Sequence, residues 1–194
     1  MALLTCAAVA LPEDLTDPGT MLATTHELED GARVRLRLTR PSDLPRIEAF
    51  LGRLSPETRA RRFLAATPKL SDSLVRRFAF YDPRERLTLA AAMPGEGGEE
   101  VIGLADIALL SSGLAEIGAV VADDAQGHGV GKLLSEAVAS LAVQRGARHL
   151  KAEMLADNTA MLHLMQRLGA TVRTIEGGNT VAYTRLPARR RHAA

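Results

Sequence analysis

Apolar positions along this chain recur with two different periods, and the switches between them lay out its elements. Val34, Leu36 and Leu38 alternate with Arg33, Arg35, Arg37 and Thr39, the pattern of a half-buried strand. Ser42 is expected to cap a helix running to about Leu54. Ser55-Pro56-Glu57 opens a second helix, with proline in the first turn and a carboxylate near the positive end of the dipole. Ser71-Asp72 begins a third, through Phe80. Leu87 to Met93 and Val101 to Leu110 are apolar strands joined by a glycine-rich hairpin loop, Pro94 to Gly98, and Leu114 to Val121 is another strand. Lys132 to Ala142 is helical, His149 to Leu155 is a strand, and Asp157-Asn158 opens a helix that ends at Leu168-Gly169. Thr171 to Ile175 and Thr180 to Leu186 are two last strands around Gly177-Gly178. Glu29-Asp30-Gly31 reads as a turn. Residues 1–24 are expected to form a tail, 25–187 a single α/β domain and 188–194 a basic tail.

Composition narrows the function classes. The 194 residues are 46% hydrophobic, enough for one domain with a real core. A net charge of +1 gives no strong attraction to nucleic acid or acidic membranes. The Arg189-Arg190-Arg191-His192 run has no aromatic platform beside it, so nucleic-acid binding is not expected. No apolar run approaches the ~20 residues that span a bilayer. Met1 to Leu11 is apolar but lacks a basic leading segment, so it does not read as a secretion signal. The single cysteine, Cys6, excludes an intramolecular disulfide and fits a reducing, cytoplasmic setting. The five histidines show no metal-ligand spacing.

The most informative segment is Gln126-Gly127-His128-Gly129-Val130-Gly131. It joins a strand to a helix through glycines, which leaves backbone N–H groups facing outward at the positive end of a helix. That arrangement binds phosphate. A Walker A loop, G-x-x-x-x-G-K-[S/T], fails twice: Gln126 stands at its first glycine and Leu133 follows Gly131-Lys132. A dinucleotide fingerprint, G-x-G-x-x-G, has its third glycine one place later than here. The pattern Q/R-x-x-G-x-G/A fits at Gln126, Gly129 and Gly131. It is the pyrophosphate loop of the GNAT N-acetyltransferases, which this chain therefore resembles.

Further segments extend the resemblance. Asn158, Leu164 and Gly169 fit the GNAT pattern N-x-x-A-x-x-L-Y-x-x-x-G-F, while Met161, Met165 and Ala170 depart from it. Arg40-Pro41-Ser42-Asp43, Leu54-Ser55-Pro56-Glu57-Thr58-Arg59, Arg62-Phe63 and Arg77-Phe78 follow one another as in the Pat-type protein lysine acetyltransferases of bacteria. The likeness runs from about Arg33 to Arg185. It implies the GNAT acyl-CoA N-acyltransferase fold, a mixed, mostly antiparallel twisted sheet flanked by helices. It also implies acetyl-CoA as co-substrate and no metal. Pat-type enzymes often carry an attached regulatory domain. This chain has no length for one and is expected to act as a free-standing catalytic domain. Arg59, Arg61, Arg62, Arg76 and Arg77 are expected to form a solvated face.

Acetyl transfer to lysine needs a neutral amine, and the free ammonium has a pKa of about 10.4. A base must therefore take its proton. Glu116, in an Ala115-Glu116-Ile117 run at the start of the strand, resembles the glutamate that many family members place there. Partial burial among apolar neighbours would suit it to that work at neutral pH. Asp106 is the reserve candidate, with a paired strand-end carboxylate as its plainer reading. The resemblance further implies that Ala119, Val120 and Val121 offer their backbone to the pantetheine arm and the oxyanion. It implies that Gln126 to Lys132 hold the pyrophosphate, His128 through its backbone, and that Asn158 faces the cofactor. Many members protonate the leaving thiolate with the tyrosine that Met165 replaces. Tyr81, Tyr183 and His163 do not stand at that position, and water is expected to serve.

The chain thus reads as an acetyl-CoA-dependent N-acetyltransferase whose acceptor is a lysine of a protein such as an acyl-CoA synthetase. A small-molecule amine acetyltransferase and a non-catalytic acyl-CoA sensor are the two other readings.

Overall fold

The computed structural model describes residues 24–65, 70–110, 113–174 and 179–187. Cys6, Pro68-Lys69, Gly177-Gly178 and the 189–192 basic run lie outside the described residues. The strands are β1 (Thr24–Glu27), β2 (Arg33–Leu38), β3 (Arg86–Gly95), β4 (Gly98–Leu109), β5 (Leu114–Val121), β6 (His149–Leu155), β7 (Thr171–Thr174) and β8 (Asn179–Arg185). The helices are α1 (Leu44–Arg53), α2 (Pro56–Phe63), α3 (Asp72–Arg76), α4 (Val130–Gln144) and α5 (Thr159–Arg167). One eight-stranded sheet runs in the order β1-β2-β3-β4-β5-β6-β8-β7. Every neighbouring pair is antiparallel except β5 and β6.

Alternation along the strands sorts side chains into two cores. Leu36, Ala105, Ile107, Ala115, Ile117, Leu150 and Met154 pack with Leu134, Val138 and Leu141 of α4. Ala90, Val101, Leu104 and Val120 pack on the other face with Ile47, Phe50, Leu51 and Phe78 of the α1–α3 layer. Helix α4 presses close to β4 at Gly103, where a Cβ would stand 2.9 Å from Leu134 Cδ1. That approach brings the N-terminus of α4 to the end of β5.

The sequence reading needs four corrections. The expected tail ends too late: Thr24 already pairs with Leu36 in β1. Ser42 does not cap the first helix. Pro41–Asp43 form a short 3-10 turn instead, and α1 begins at Leu44. Asp43 is the anchor there, accepting from the Arg40 backbone N–H (2.9 Å) and from both Arg37 Nη atoms (2.7 and 2.8 Å). Arg37, placed by alternation on the polar side, is therefore buried, and it bonds Glu99 as well. The third helix stops at Arg76, and the chain turns so that the Phe78 carbonyl accepts from Thr39 Oγ1 at 2.5 Å.

Helix α2 forms where expected. Ser55 Oγ accepts the Thr58 N–H (3.1 Å). Asp123 Oδ1 accepts from Ser55 Oγ (2.7 Å) and Thr58 Oγ1 (2.6 Å), and its Oδ2 from the Ser55 N–H (2.9 Å). The Leu-Ser-Pro-Glu-Thr segment thus ties the start of α2 to the chain just beyond β5.

Candidate active site

Strands β5 and β6 are paired only from Leu114 to Glu116 against His149 to Lys151. Beyond Glu116 they part. β5 stays with β4 as far as Val121, and β6 stays with β8 as far as Leu155. The parting opens a cleft across the sheet and gives Gly118 to Val121 an edge with no strand beside it. Two connected hollows occupy the cleft, sharing Arg61, Arg62, Ala119, Asn158 and Met161 in their walls.

The larger hollow, about 350 Å³, lies at the β5 end and is lined by Ala119, Val120, Val121, Gln126, Gly127, Gly129, Gly131, Lys132 and Asn158. It therefore brings together nine of the cofactor-binding candidates. Gly127 and Gly129 have φ of +83° and +90°, values that side chains rarely adopt, so these two positions demand glycine. Gly131 has ordinary geometry; a Cβ there would lie 3.4 Å from Leu164. The first α4 hydrogen bond runs from Leu133 N–H to Gly129 C=O at 3.0 Å. The N–H groups of Val130, Gly131 and Lys132 precede that ladder, at the positive end of a helix of 15 residues.

Side chains brace this loop more than they line it. Gln126 Nε2 donates to the Val121 carbonyl (3.2 Å) and to Thr58 Oγ1 (3.3 Å). The His128 ring turns away and meets Asp30 Oδ2 at 2.8 Å, on the β1–β2 turn. Val130 is buried in the core. Asn158 Oδ1 accepts the Met161 N–H at 3.1 Å and caps α5.

The smaller hollow, about 190 Å³, lies toward the paired end of β5 and is walled by ionised side chains. Asp106, buried on β4, accepts from Arg62 of α2 and Arg86 of β3. Arg62 stacks near Phe63 and Phe78, 5.3 and 5.7 Å from their ring centres. Its guanidinium occupies the space over Gly118, where a Cβ would stand 2.6 Å from Arg62 Cζ. Arg62 is thus a wall of the cleft rather than part of a solvated face. Sequence spacing gave no signal for this, because Asp106, Gly118 and Phe78 are brought to it from β4, β5 and the turn after α3.

Glu116 lines the same hollow from β5. Its side chain is 44% exposed, and Oε2 is 3.2 Å from Lys151 Nζ, which also lies 3.9 Å from Glu153. The apolar surroundings expected for Glu116 are not present; its neighbour is an ammonium. Burial pulls the Lys151 pKa down, but the hydrogen bond and charge of Glu116 outweigh it, and the ammonium is held above its usual range.

The stretch of sequence that builds this cleft between parted parallel strands matches a family model. The model for the acetyltransferase (GNAT) domain covers residues 33–171. The chain belongs to the GNAT acetyltransferases. The activity that goes with this membership is acyl-CoA-dependent N-acetyl transfer.

An acetyltransferase of Pseudomonas aeruginosa is 31% identical over 143 residues, 73% of this chain and 77% of that protein. The crystal structure of the GNAT domain of S. lividans PAT superposes with a TM-score of 0.76 at 32% identity, covering 84% of this chain and 97% of that one. A point mutant of the cAMP-binding acyltransferase from Mycobacterium smegmatis aligns at 26% identity and a TM-score of 0.59, covering 85% of this chain but 47% of that one. A phosphinothricin acetyltransferase from Sinorhizobium meliloti, solved in complex with AcCoA, shares the fold with a TM-score of 0.63 at 19% identity, over 79% of this chain and 88% of that one.

Against the GNAT pattern, position 165 is informative. Met165 is fully buried in the core, so nothing from that position reaches the cleft. Tyr81 is committed to the Thr39 carbonyl at 2.8 Å, Tyr183 lies on β8, and His163 is exposed on α5. Met161 lines both hollows where the pattern has a small residue. Among the described residues no group of three or more His, Cys, Asp or Glu is arranged to hold a metal ion, and no helix is long and apolar enough to cross a membrane.

Proposed function

We propose that this enzyme acetylates a lysine side chain of a protein, such as an acyl-CoA synthetase, with acetyl-CoA as donor. The observation that carries the reading is the continuous cleft. It runs from the glycine turn, past the free edge of β5, to a carboxylate at the point where β5 and β6 meet. A strand edge suits the amide-bearing pantetheine arm, and outward N–H groups at a helix start suit the pyrophosphate. In this arrangement the N–H groups of Gly127 to Lys132 hold the pyrophosphate. Ala119, Val120 and Val121 hold the arm, and the thioester lies beside Gly118. Asn158, which borders both hollows, faces the acyl end. The protein-lysine acceptor, rather than a small amine, rests on the order of the Arg40-Pro41-Ser42-Asp43, Leu54-to-Arg59, Arg62-Phe63 and Arg77-Phe78 segments, which resembles the Pat-type protein lysine acetyltransferases.

Glu116 is the base in this reading. It takes a proton from the acceptor ammonium, directly or through one water, and the freed amine attacks the thioester carbon. Backbone N–H groups of the free β5 edge stabilise the oxyanion. The C–S bond then breaks, the sulfur leaves as thiolate, and the attacking nitrogen gives up its second proton to water to become the amide. With Met165 buried, no side chain protonates the sulfur as it leaves, which its low basicity permits, and the proton released to water returns to the thiolate. Lys151 neutralises Glu116 in the resting protein, and the incoming ammonium exchanges for it. The reaction unit spans residues 24–187, and the reading implies a cytoplasmic enzyme.

The test is thiol release from acetyl-CoA with acyl-CoA synthetases and small amines as acceptors, alongside Glu116→Gln. Turnover on a synthetase that collapses in the mutant is the expected result. Turnover on small amines alone replaces the acceptor. Tight acetyl-CoA binding with no turnover on either set leaves the sensor reading.

A further inference from the structure

The smaller hollow separates its charges. On the α2 and β3 side, Arg62 and Arg86 share the one carboxylate of Asp106, so this group keeps a positive charge in excess. Arg77, exposed at the end of α3, adds another guanidinium to the same wall. On the β5 and β6 side, Glu116 and Glu153 share the one ammonium of Lys151, which leaves a negative excess. All of these except Lys151 line the same hollow of about 190 Å³. A cavity lined by a cationic excess from α2, α3 and β3 and an anionic excess from β5 and β6 favours a ligand that carries both charges.

We propose that the acceptor is an amine with a carboxylate close beside it. Resting on the protein-lysine reading above, this means a target lysine with an aspartate or glutamate next to it. The lysine ammonium enters on the Glu116–Glu153 side, exchanging for Lys151, while the neighbouring carboxylate meets Arg77 and the Arg62–Arg86 pair. A forked guanidinium gives a carboxylate two parallel hydrogen bonds, so the preference is for carboxylates over other polar groups. Gly118 is part of the device, because only a residue without Cβ leaves room for the Arg62 guanidinium above β5. A second basic residue beside the target lysine would bring like charges together at the arginine wall and is selected against.

The test measures initial rates of the full chain with acetyl-CoA and a set of lysine peptides that differ only at the residue next to the lysine. That residue is Glu, Gln or Arg. Free amino acids with side-chain amines, and the same amines without a carboxylate, form the second set. The expected kcat/KM order is Glu over Gln over Arg, with steps of roughly two- to fivefold, the range for a partly exposed ion pair. Arg77→Glu, a change at an exposed position, is expected to reduce or invert that order while the KM for acetyl-CoA stays near its original value. Equal rates across the peptide set overturn the charge preference and leave the lysine reading standing. Turnover of carboxylate-bearing small amines without any peptide overturns the protein acceptor and leaves the charge preference standing. No turnover of either set overturns both.

Discussion

The two ends of the cleft are built from different materials. At the glycine turn the groups aimed at the ligand are backbone N–H, and their geometry comes from contiguous residues, Gly127 to Lys132. At the other end the walls are side chains brought from α2, α3, β3, β4, β5 and β6. A backbone site tolerates changes in most side chains but not in the conformation of its glycines. A site of ionised side chains holds its backbone loosely but depends on every charge being answered. On the function proposed above, the donor is met by the part that is hard to alter and the acceptor by the part that is easy to alter.

The largest expected effect lies at the acceptor end. Glu116→Gln should lower kcat by roughly two to four decades, the contribution of a general base, with acetyl-CoA affinity little changed. Asp106→Asn comes next. It leaves two guanidiniums in a half-buried site without their carboxylate, and should cost about 2–4 kcal/mol of stability in denaturant unfolding. At the donor end, Gly129→Val forces a β-branched residue into a φ of +90° and should weaken acetyl-CoA binding by about ten- to a hundredfold, read by calorimetry. If the maximal rate at saturating acetyl-CoA survives that change, the two ends are separable.

Two smaller effects sharpen the comparison. Asp123→Asn loosens the tie between α2 and the end of β5 and should cost about 1 kcal/mol, given the exposure of the contact. Burial works against the ionised Asp123, but hydrogen bonds from Thr58 and Ser55 outweigh it and depress its folded-state pKa. A depressed carboxylate stabilises above its unfolded value of about 3.9 and loses that contribution as pH falls through the folded value. The difference between wild type and Asp123→Asn should therefore shrink below about pH 4. Smallest of all, Gly118→Ala meets only the movable end of Arg62. Stability should change by less than about 1 kcal/mol while the KM for the acceptor rises.

What could be read from the chain follows the same division. Strands β2 to β6 and helices α2, α4 and α5 announced themselves by period and caps, because each records its own burial in its own residues. The glycine turn was legible for the same reason. Strand β1 was not: Thr24 to Glu27 is too short and polar to signal a strand, and pairing with β2 makes it one. Ser42 looked like a cap, but Asp43 had a stronger use as the anion for Arg37. Arg62 stood out only as part of the Arg62-Phe63 segment and was expected on a solvated face. Its partners Asp106 and Phe78 belong to other elements, and only folding joins them. Glu116 was a candidate from its position, whereas its neighbour Lys151 came into view only with the parallel register of β5 and β6.

The parting of β5 from β6 also bears on self-association. Unpaired strand edges at the rim of a sheet recruit other chains and seed aggregates. Here the edge of Gly118 to Val121 sits between two halves of one sheet, walled by α2 on one side and α5 on the other. A rigid second polypeptide strand would have to force the halves further apart to reach it, while a thin, flexible arm slides in. If the pantetheine arm lies along this edge as proposed, amide hydrogen exchange at Ala119 to Val121 should slow when acetyl-CoA is added.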